Sequence, residues 1–367
     1  MPSAGIFSGL CPLEPLLILR LRLFIGLVLG LLSFGVLAEV QVPIRVGVLY
    51  WSMQIPGQVA MRQGLEAEVE RINQRAAGRG LPPVELIAEV AGDGEAGIRR
   101  QIEQMSAMVA RRPDIIIVQP TDNAALAEPL LAANAAGIPV VAYDQYISGG
   151  RLDAFVTSDN RQAGYLNGEF IADRFADDRE IGLILVEYPH VSSTVERLNG
   201  FLDALAEHRQ PYRILKTYKA VQPEEGRRAG EAILRDFPAP GSVDVVFSVN
   251  DGGGLSVVAM LAAAGRREII VASIDGDPAA VQRIDRQELI HIDSAQFCGP
   301  LGAEAMKTAY AIATGAPFAR EVLVPVFPVT RDTLQLYPGW LGPIPEPFRK
   351  PWTANKPLWD GQIQTRQ

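Results

Sequence analysis

The sequence predicts an α/β protein of parallel sheets arranged in two similar lobes, and three observations carry that expectation. Short apolar runs rich in β-branched residues alternate with longer amphipathic stretches along most of the chain. The segment from Asp114 to Asp144 (IIIVQPTDNAALAEPLLAANAAGIPVVAY between the two acids) resembles the segment from Asp244 to Asp275 (VVFSVNDGGGLSVVAMLAAAGRREIIVASI). The ~330 residues beyond the first 38 suit two domains better than one.

In chain order, residues 1–22 are mostly apolar and end in Arg20 and Arg22, and an uninterrupted apolar run follows from Leu23 to Ala38. Basic residues, an apolar stretch and small residues are the parts of a secretory signal peptide. Val36-Leu37-Ala38 supplies the cleavage site, so residues 1–38 are expected to be removed and the protein to act in the periplasm. An uncleaved anchor is the alternative, but the run is short of the roughly 20 residues that a spanning helix needs. Leu10 precedes Cys11 where a lipid-anchored signal needs a small residue, which speaks against lipidation.

The runs Ile44–Tyr50, Val84–Val90, Ile115–Val118, Val140–Tyr143, Ile181–Val186, Val243–Val249 and Ile269–Ile274 lack polar alternation, as strands buried on both faces do. Helical patterns such as 57–75, 97–111 and 124–136 lie between them, punctuated by Gly or Pro as at Gly137-Ile138-Pro139. Strand–helix alternation implies parallel sheets with right-handed crossovers. In the repeat, each copy runs acid, strand, polar turn, Ala-rich helix, strand, acid. The polar groups fall at carboxyl ends of strands, the edge where open α/β sheets bind ligands. Two such units suggest two lobes whose strand ends face each other across a cleft; the alternative is two unrelated βαβ units. From Pro325 onward the chain is rich in Pro and Trp, with little periodicity.

Several functions are excluded or disfavoured. Net charge is −8 with no basic block, so nucleic acid is not an expected partner. Three histidines are scattered and one cysteine, Cys298, remains beyond residue 38, so neither a zinc site nor an intramolecular disulfide is expected. No phosphate loop, nucleophile elbow or H-E-x-x-H occurs, and no cofactor or enzymatic activity is expected. Gly252-Gly253-Gly254 follows a strand but lacks the spaced glycines of a dinucleotide site.

What remains is a set of polar side chains at strand ends and turns: Gln119, Asp144, Gln145, Asn160, Arg197, Asn250, Asp275 and Gln296. A polyhydroxylated ligand wants this inventory, because each hydroxyl both donates and accepts. Sugars also offer a C–H face to aromatics, and Trp51 follows the first strand, where either ligand stacking or core packing would explain it. Asp122 and Asp159 equally suit helix caps, and Asn250 a turn.

At these residues the sequence resembles the type I periplasmic sugar-binding proteins, in particular the ribose- and xylose-binding branch. The resemblance runs from about Ile44 to Pro325 through IRVGVLYWSMQIPGQ, IIIVQPTDNAALAEPL, AGIPVVAYDQYI, FVTSDNRQAGYLNGEFIA, ERLNGF, VVFSVNDGGG, VASIDGDPAAVQRI and IDSAQFCGPLGAEA. It implies two Rossmann-like lobes joined by three crossovers near Ser158, Gln296 and Val324. Lobe one is then 44–158 plus 297–323, lobe two 159–296 plus 324–336, and 337–367 a C-terminal extension. It also implies ligand contacts from Gln119, Asp144, Asn160, Arg197, Asn250, Asp275 and Gln296. The chain departs from the ribose pattern in having Asp144-Gln145 for Asp-Arg and Gly57-Gln58 for two aromatics, and it lacks an aromatic near 221–226. These departures speak against ribose itself and leave the class. A monomeric receptor follows, serving either an ABC permease or a membrane sensor such as a histidine kinase. For the tail three expectations stand: its tryptophans are pinned onto one lobe, part of it docks a membrane partner, or it is disordered.

Overall fold

The computed structural model describes residues 1–2, 5, 41–175 and 179–367. Apart from Met1, Pro2 and Gly5, the expected signal segment and its junction after Ala38 lie outside the described residues. Among those described, no helix is long and apolar enough to cross a membrane.

Two mainly parallel sheets form. The strands of the first are β1 (Ile44–Tyr50), β2 (Val84–Val90), β3 (Ile115–Val118), β4 (Val140–Tyr143), β5 (Ala154–Ser158), β11 (Glu321–Val324) and β15 (Gln364–Arg366). Their order is β15-β11-β5-β4-β3-β1-β2. The second holds β6 (Ile181–Glu187), β7 (Tyr212–Lys219), β8 (Val245–Ser248), β9 (Ile270–Asp275), β10 (Ile290–Gln296) and β12 (Val326–Thr330), in the order β12-β10-β9-β8-β6-β7. β3, β4 and β8 are buried at every position, which is why they read as apolar runs without alternation. A two-residue pair, β13 (Phe348–Arg349) with β14 (Leu358–Trp359), lies in the tail.

Helices connect the strands: α1 (Pro56–Arg79), α2 (Gly94–Ala110), α3 (Ala127–Ala135), α4 (Asn160–Arg174), α5 (Ser192–Glu207), α6 (Pro223–Asp236), α7 (Asp251–Ala263), α8 (Pro278–Asp285) and α9 (Cys298–Ala313). Their ends follow local chemistry. Pro56 starts α1, and Gly80 ends it in the left-handed conformation at φ 62°. Asp159 caps α4 by accepting from Gln162 N at 2.9 Å, and Asp122 accepts from Ala124 N and Ala125 N at 2.8 and 2.9 Å. Gln222 and Glu225 form a capping box on α6.

The chain passes between the sheets after β5, after β10 and between β11 and β12. It then passes once more, because β15 pairs antiparallel with β11 of the first sheet after the tail has run along the second. Close helix contact fixes the geometry near the first passage. A Cβ on Gly164 would stand 1.8 Å from Arg197 O, and one on Gly200 2.0 Å from Arg161 O, so only glycine lets α4 and α5 approach this far.

The tail, in which little regular structure was expected, folds back and is tied by its indoles. Trp352 Nε1 donates to Glu169 Oε2 at 3.0 Å, Trp359 Nε1 to Val326 O at 2.7 Å and Trp340 Nε1 to Asp275 O at 2.6 Å. Lys350 forms an ion pair with Glu169, both groups nearly inaccessible. The three indoles all donate to elements on the second-sheet side, as pinning onto one lobe requires, but the tail as a whole is not confined there: β15 extends the first sheet and Gly299 N, at the start of α9, donates to Trp340 O at 2.9 Å.

Candidate functional site

The carboxyl ends of β1, β3 and β4 present Trp51, Gln119 and Asp144, and those of β8, β9 and β10 present Asn250, Asp275 and Gln296. The two sets face each other. Between them lies a cavity of about 40 Å³ whose walls include Trp51, Gln58, Asp144, Gln145, Ser193, Thr194, Arg197, Asn250, Asp275 and Gln296.

On the first-sheet side, Gln119 Nε2 donates to Asp144 Oδ2 at 2.8 Å, and Gln119 O is held by Gln101 Nε2 at 2.8 Å. On the other side Arg197 is held through its Nη1 and Nε. Its Nη1 donates to Asp275 Oδ1 at 2.9 Å and to Val249 O at 3.0 Å, and its Nε to Asn160 Oδ1 at 2.9 Å. Gln296 Nε2 donates to the same Asp275 oxygen at 2.7 Å, while Gln296 Oε1 accepts from Ser158 Oγ at 2.8 Å. The sides are stitched together at the rim. Gln145 Nε2 donates to Ser193 Oγ at 2.8 Å, Tyr146 N to Ser192 Oγ at 3.1 Å and Ser192 N to Asn123 Oδ1 at 3.1 Å.

Burial raises the Asp144 pKa to about 6; the Gln119 bond and the Arg197 charge oppose the rise, and Asp275 adds to it. Burial also raises Asp275, opposed chiefly by Arg197. Asp144 and Asp275 hold non-glycine positive φ, at 64° and 133°, and such strained backbone persists only where its surroundings over-determine it. Behind Asp275, burial lifts Asp293 to about 7 and Asp251 well above the usual carboxylate range. Cys298 is fully buried, and desolvation pushes its thiol up, which keeps it from thiolate chemistry. The site therefore offers carboxylate acceptors, a guanidinium donor and amides that do both. Among the described residues no group of three or more His, Cys, Asp or Glu is placed to hold a metal.

Of the nine residues singled out from the sequence, seven line this cavity. Gln119 and Asn160 do not; they stand one layer back and hold Asp144 and Arg197. Asn250 lines the wall, but its amide is committed to the backbone: Oδ1 accepts from Gly253 N at 3.2 Å and Nδ2 donates to Val221 O at 3.0 Å. Trp51 is buried in the wall. Sequence reasoning missed Gln58, Ser193 and Thr194, which belong to first turns of helices rather than to strand ends. A cue existed for Ser193: it stands four residues before Arg197 and so shares its helix face.

A wider recess of about 440 Å³ lies under the tail against α4, bordered by Arg161, Tyr165, Lys356 and Asp360 among others. Its walls include none of Asp144, Arg197 and Asp275, the charged groups that converge from the two sheets on the smaller cavity, so the smaller one is the candidate site.

Two sheets, repeated passages between them and a polar cavity at their facing strand ends define a two-lobed binding protein of the type I fold. A family model described as "Periplasmic binding protein domain" matches residues 46–317, and the chain belongs to that family. Among its relatives is the ribose import binding protein RbsB of Bacillus subtilis (strain 168), 25% identical over 71% of this chain and 79% of that protein. The protein of the same name from Escherichia coli (strain K12) is 24% identical over 77% of this chain and 90% of its own length. Similar solved structures include a galactofuranose binding protein, with TM-score 0.69, 19% identity and coverage of 80% of this chain and 96% of that one. Another is an ABC transporter solute binding protein from Bacillus halodurans C-125 with bound myo-inositol, with TM-score 0.68, 24% identity and coverage of 81% and 97%.

Proposed function

We propose that the protein is a periplasmic receptor that captures a small sugar or similar polyhydroxylated ligand between its lobes and delivers it, as a monomer, to an ABC importer. The supporting observation is the convergence of Asp144 from one sheet with Arg197, Asp275 and Gln296 from the other on one cavity. Acceptors and donors from both lobes let a hydroxylated ligand favour the closed form, as ligand-driven closure requires. The lobes run over 44–158 plus 297–323 and 159–296 plus 324–336, with 337–367 appended, and residues 1–38 direct export. Relatives named for ribose import support transport over sensing.

At about 40 Å³ the cavity is well below the roughly 300 Å³ at which small-molecule sites begin, so the lobes must part to admit a ligand. A sugar enters only when the rim bonds from Gln145 and Tyr146 to Ser193 and Ser192 part, and a compact polyol needs less widening than a hexose. A thermal-shift screen of the purified protein with D-ribose, D-allose, myo-inositol and glycerol tests the reading. A ligand at about 100-fold over its Kd stabilises by about 2.7 kcal/mol. No shift with these or a wider panel of sugars and polyols would sink it.

A further inference from the structure

We propose that Trp340, in the C-terminal extension, is a positioning residue of the interlobe site: it holds the Asp275 backbone and clasps the two lobes together without lining the cavity. The inference rests on the binding reading above and adds a determinant of closure outside the two lobes.

Three contacts carry it. Trp340 Nε1 donates to Asp275 O at 2.6 Å. Asp275 ends β9 of the second sheet, and its φ of 133° is one that a non-glycine residue holds only against steric cost. The indole thus satisfies the carbonyl of the strained residue whose carboxylate receives Arg197 and Gln296. On the opposite side the ring lies against α1, since a Cβ placed on Gly57 would stand 3.7 Å from Trp340 Cζ2. Trp340 O accepts from Gly299 N at 2.9 Å, at the start of α9. A Cβ on Gly299 would stand 3.1 Å from Leu341 Cδ2 and 3.3 Å from Trp340 O, so glycine keeps this seat open for the tail. Helices α1 and α9 pack together, and α9 lies on strands of the first sheet. One side chain therefore bridges β9 of one lobe and α1 of the other. Separating the lobes breaks either the indole bond or the ring contact.

The consequence is energetic coupling. A contact made in the closed form and broken in the open one biases the balance before any ligand arrives, and apparent affinity scales with the fraction able to bind. Because the indole does not border the cavity, its loss weakens every ligand by the same factor.

The test uses the whole protein carrying spin labels on Glu70→Cys and Arg228→Cys, exposed positions on α1 and α6. Trp340→Phe keeps a ring on Gly57 and deletes the donor; Trp340→Ala deletes both. Without ligand, both variants should move the interlobe distance distribution toward larger separations. For every compound among D-ribose, D-allose, myo-inositol and glycerol that the unsubstituted protein binds, Trp340→Phe should weaken affinity by a common factor of about five, as loss of one hydrogen bond implies. Trp359→Phe, which removes a tail anchor remote from the cavity, should lower Tm and leave the distances alone. If Trp340→Phe lowers Tm but keeps the distance distribution and all affinities within twofold, Trp340 only glues the tail and the proposal fails. If neither these compounds nor a wider panel of sugars and polyols bind the unsubstituted protein, the receptor reading fails, and the distances still decide whether Trp340 clasps the lobes. Should Trp340→Ala not fold, the Phe variant alone decides.

Discussion

Asp144 and Arg197 carry opposite burdens. Asp144 is buried and strained, with a pKa raised to about 6 mainly by desolvation. An acid whose folded pKa exceeds its unfolded value contributes stability that is present below the unfolded pKa, near 3.8, and lost as pH rises through about 6. Asp293, at about 7, extends the same loss toward neutrality. Thermal stability should therefore fall between pH 4 and 7, and Asp293→Asn should flatten the upper part of that slope in calorimetric scans. Ligand affinity runs the other way, because a hydroxyl donates best to an ionised Asp144. Titration calorimetry should show affinity rising from pH 5 to 7.5, and Asp144→Asn should reduce the dependence, leaving the part that Asp275 contributes. Arg197 is the donor that neutralises Asp275, and its removal leaves that carboxylate buried without a cation. Arg197→Ala should cost about 2–5 kcal/mol of ligand affinity. Arg197→Lys should recover little, since an ammonium cannot span Asn160, Val249 and Asp275 together; equal affinity in all three proteins would put the ligand elsewhere. Acids at strand ends were legible because an aspartate closing an apolar run is conspicuous. Gln58 was marked only as a departure from two aromatics, since a glutamine in a first helical turn looks like any solvated one.

At the scale of elements, α7 shows how one residue serves two levels. Asn250 borders the cavity, yet both ends of its amide bind backbone, at Gly253 N and Val221 O. Its replacement should first be felt by the helix. Asn250→Ala should lower global stability by about 1 kcal/mol through the lost cap, with a further loss from Val221 O left unpaired in the interior. Chemical denaturation would register this as a lower midpoint at unchanged slope; an unchanged midpoint with weakened ligand binding would assign Asn250 to the ligand alone. The strands buried on both faces were legible as apolar runs. β7 was not, because it lies at a sheet edge where most positions are exposed and only Tyr218 is buried. Nor was β10, whose IHIDSAQ buries Asp293, Ser294 and Gln296. Two of its polar groups are satisfied by partners distant in sequence, Ser294 by Asn167 and Gln296 by Ser158. No local pattern reports such pairing. The short β11 and β12, split by Pro325, fell below the length at which periodicity speaks.

For the whole molecule, the internal repeat made two sheets legible, since each copy is one βαβ unit and appears once in each sheet. The tail's course was not legible, because 31 Pro-rich residues carry no period and their seats are made of surface contributed by both sheets. Those seats make the tail a structural part rather than an appendage. Lys350 and Trp352 Nε1 both bind Glu169, whose side chain is inaccessible on α4. Trp359 stands 5.2 Å from Phe327 of β12, ring centre to ring centre, and β15 covers the β11 edge of the first sheet. Truncation after Leu336 would remove all of these at once. It would strip the lysine and the indole donor from Glu169, uncover Phe327, and expose an edge strand in a form that invites pairing with other chains. Breaking a buried pair by removing one partner costs about 3–5 kcal/mol, so the truncated protein should melt on the order of 10 °C lower and show a concentration-dependent loss of soluble protein. Lys350→Met separates the contributions. It keeps tail, tryptophans and edge strand while leaving Glu169 without its cation, so it should reproduce much of the lost stability without the aggregation. A truncated protein that melts unchanged would mean the tail contacts add nothing to the fold.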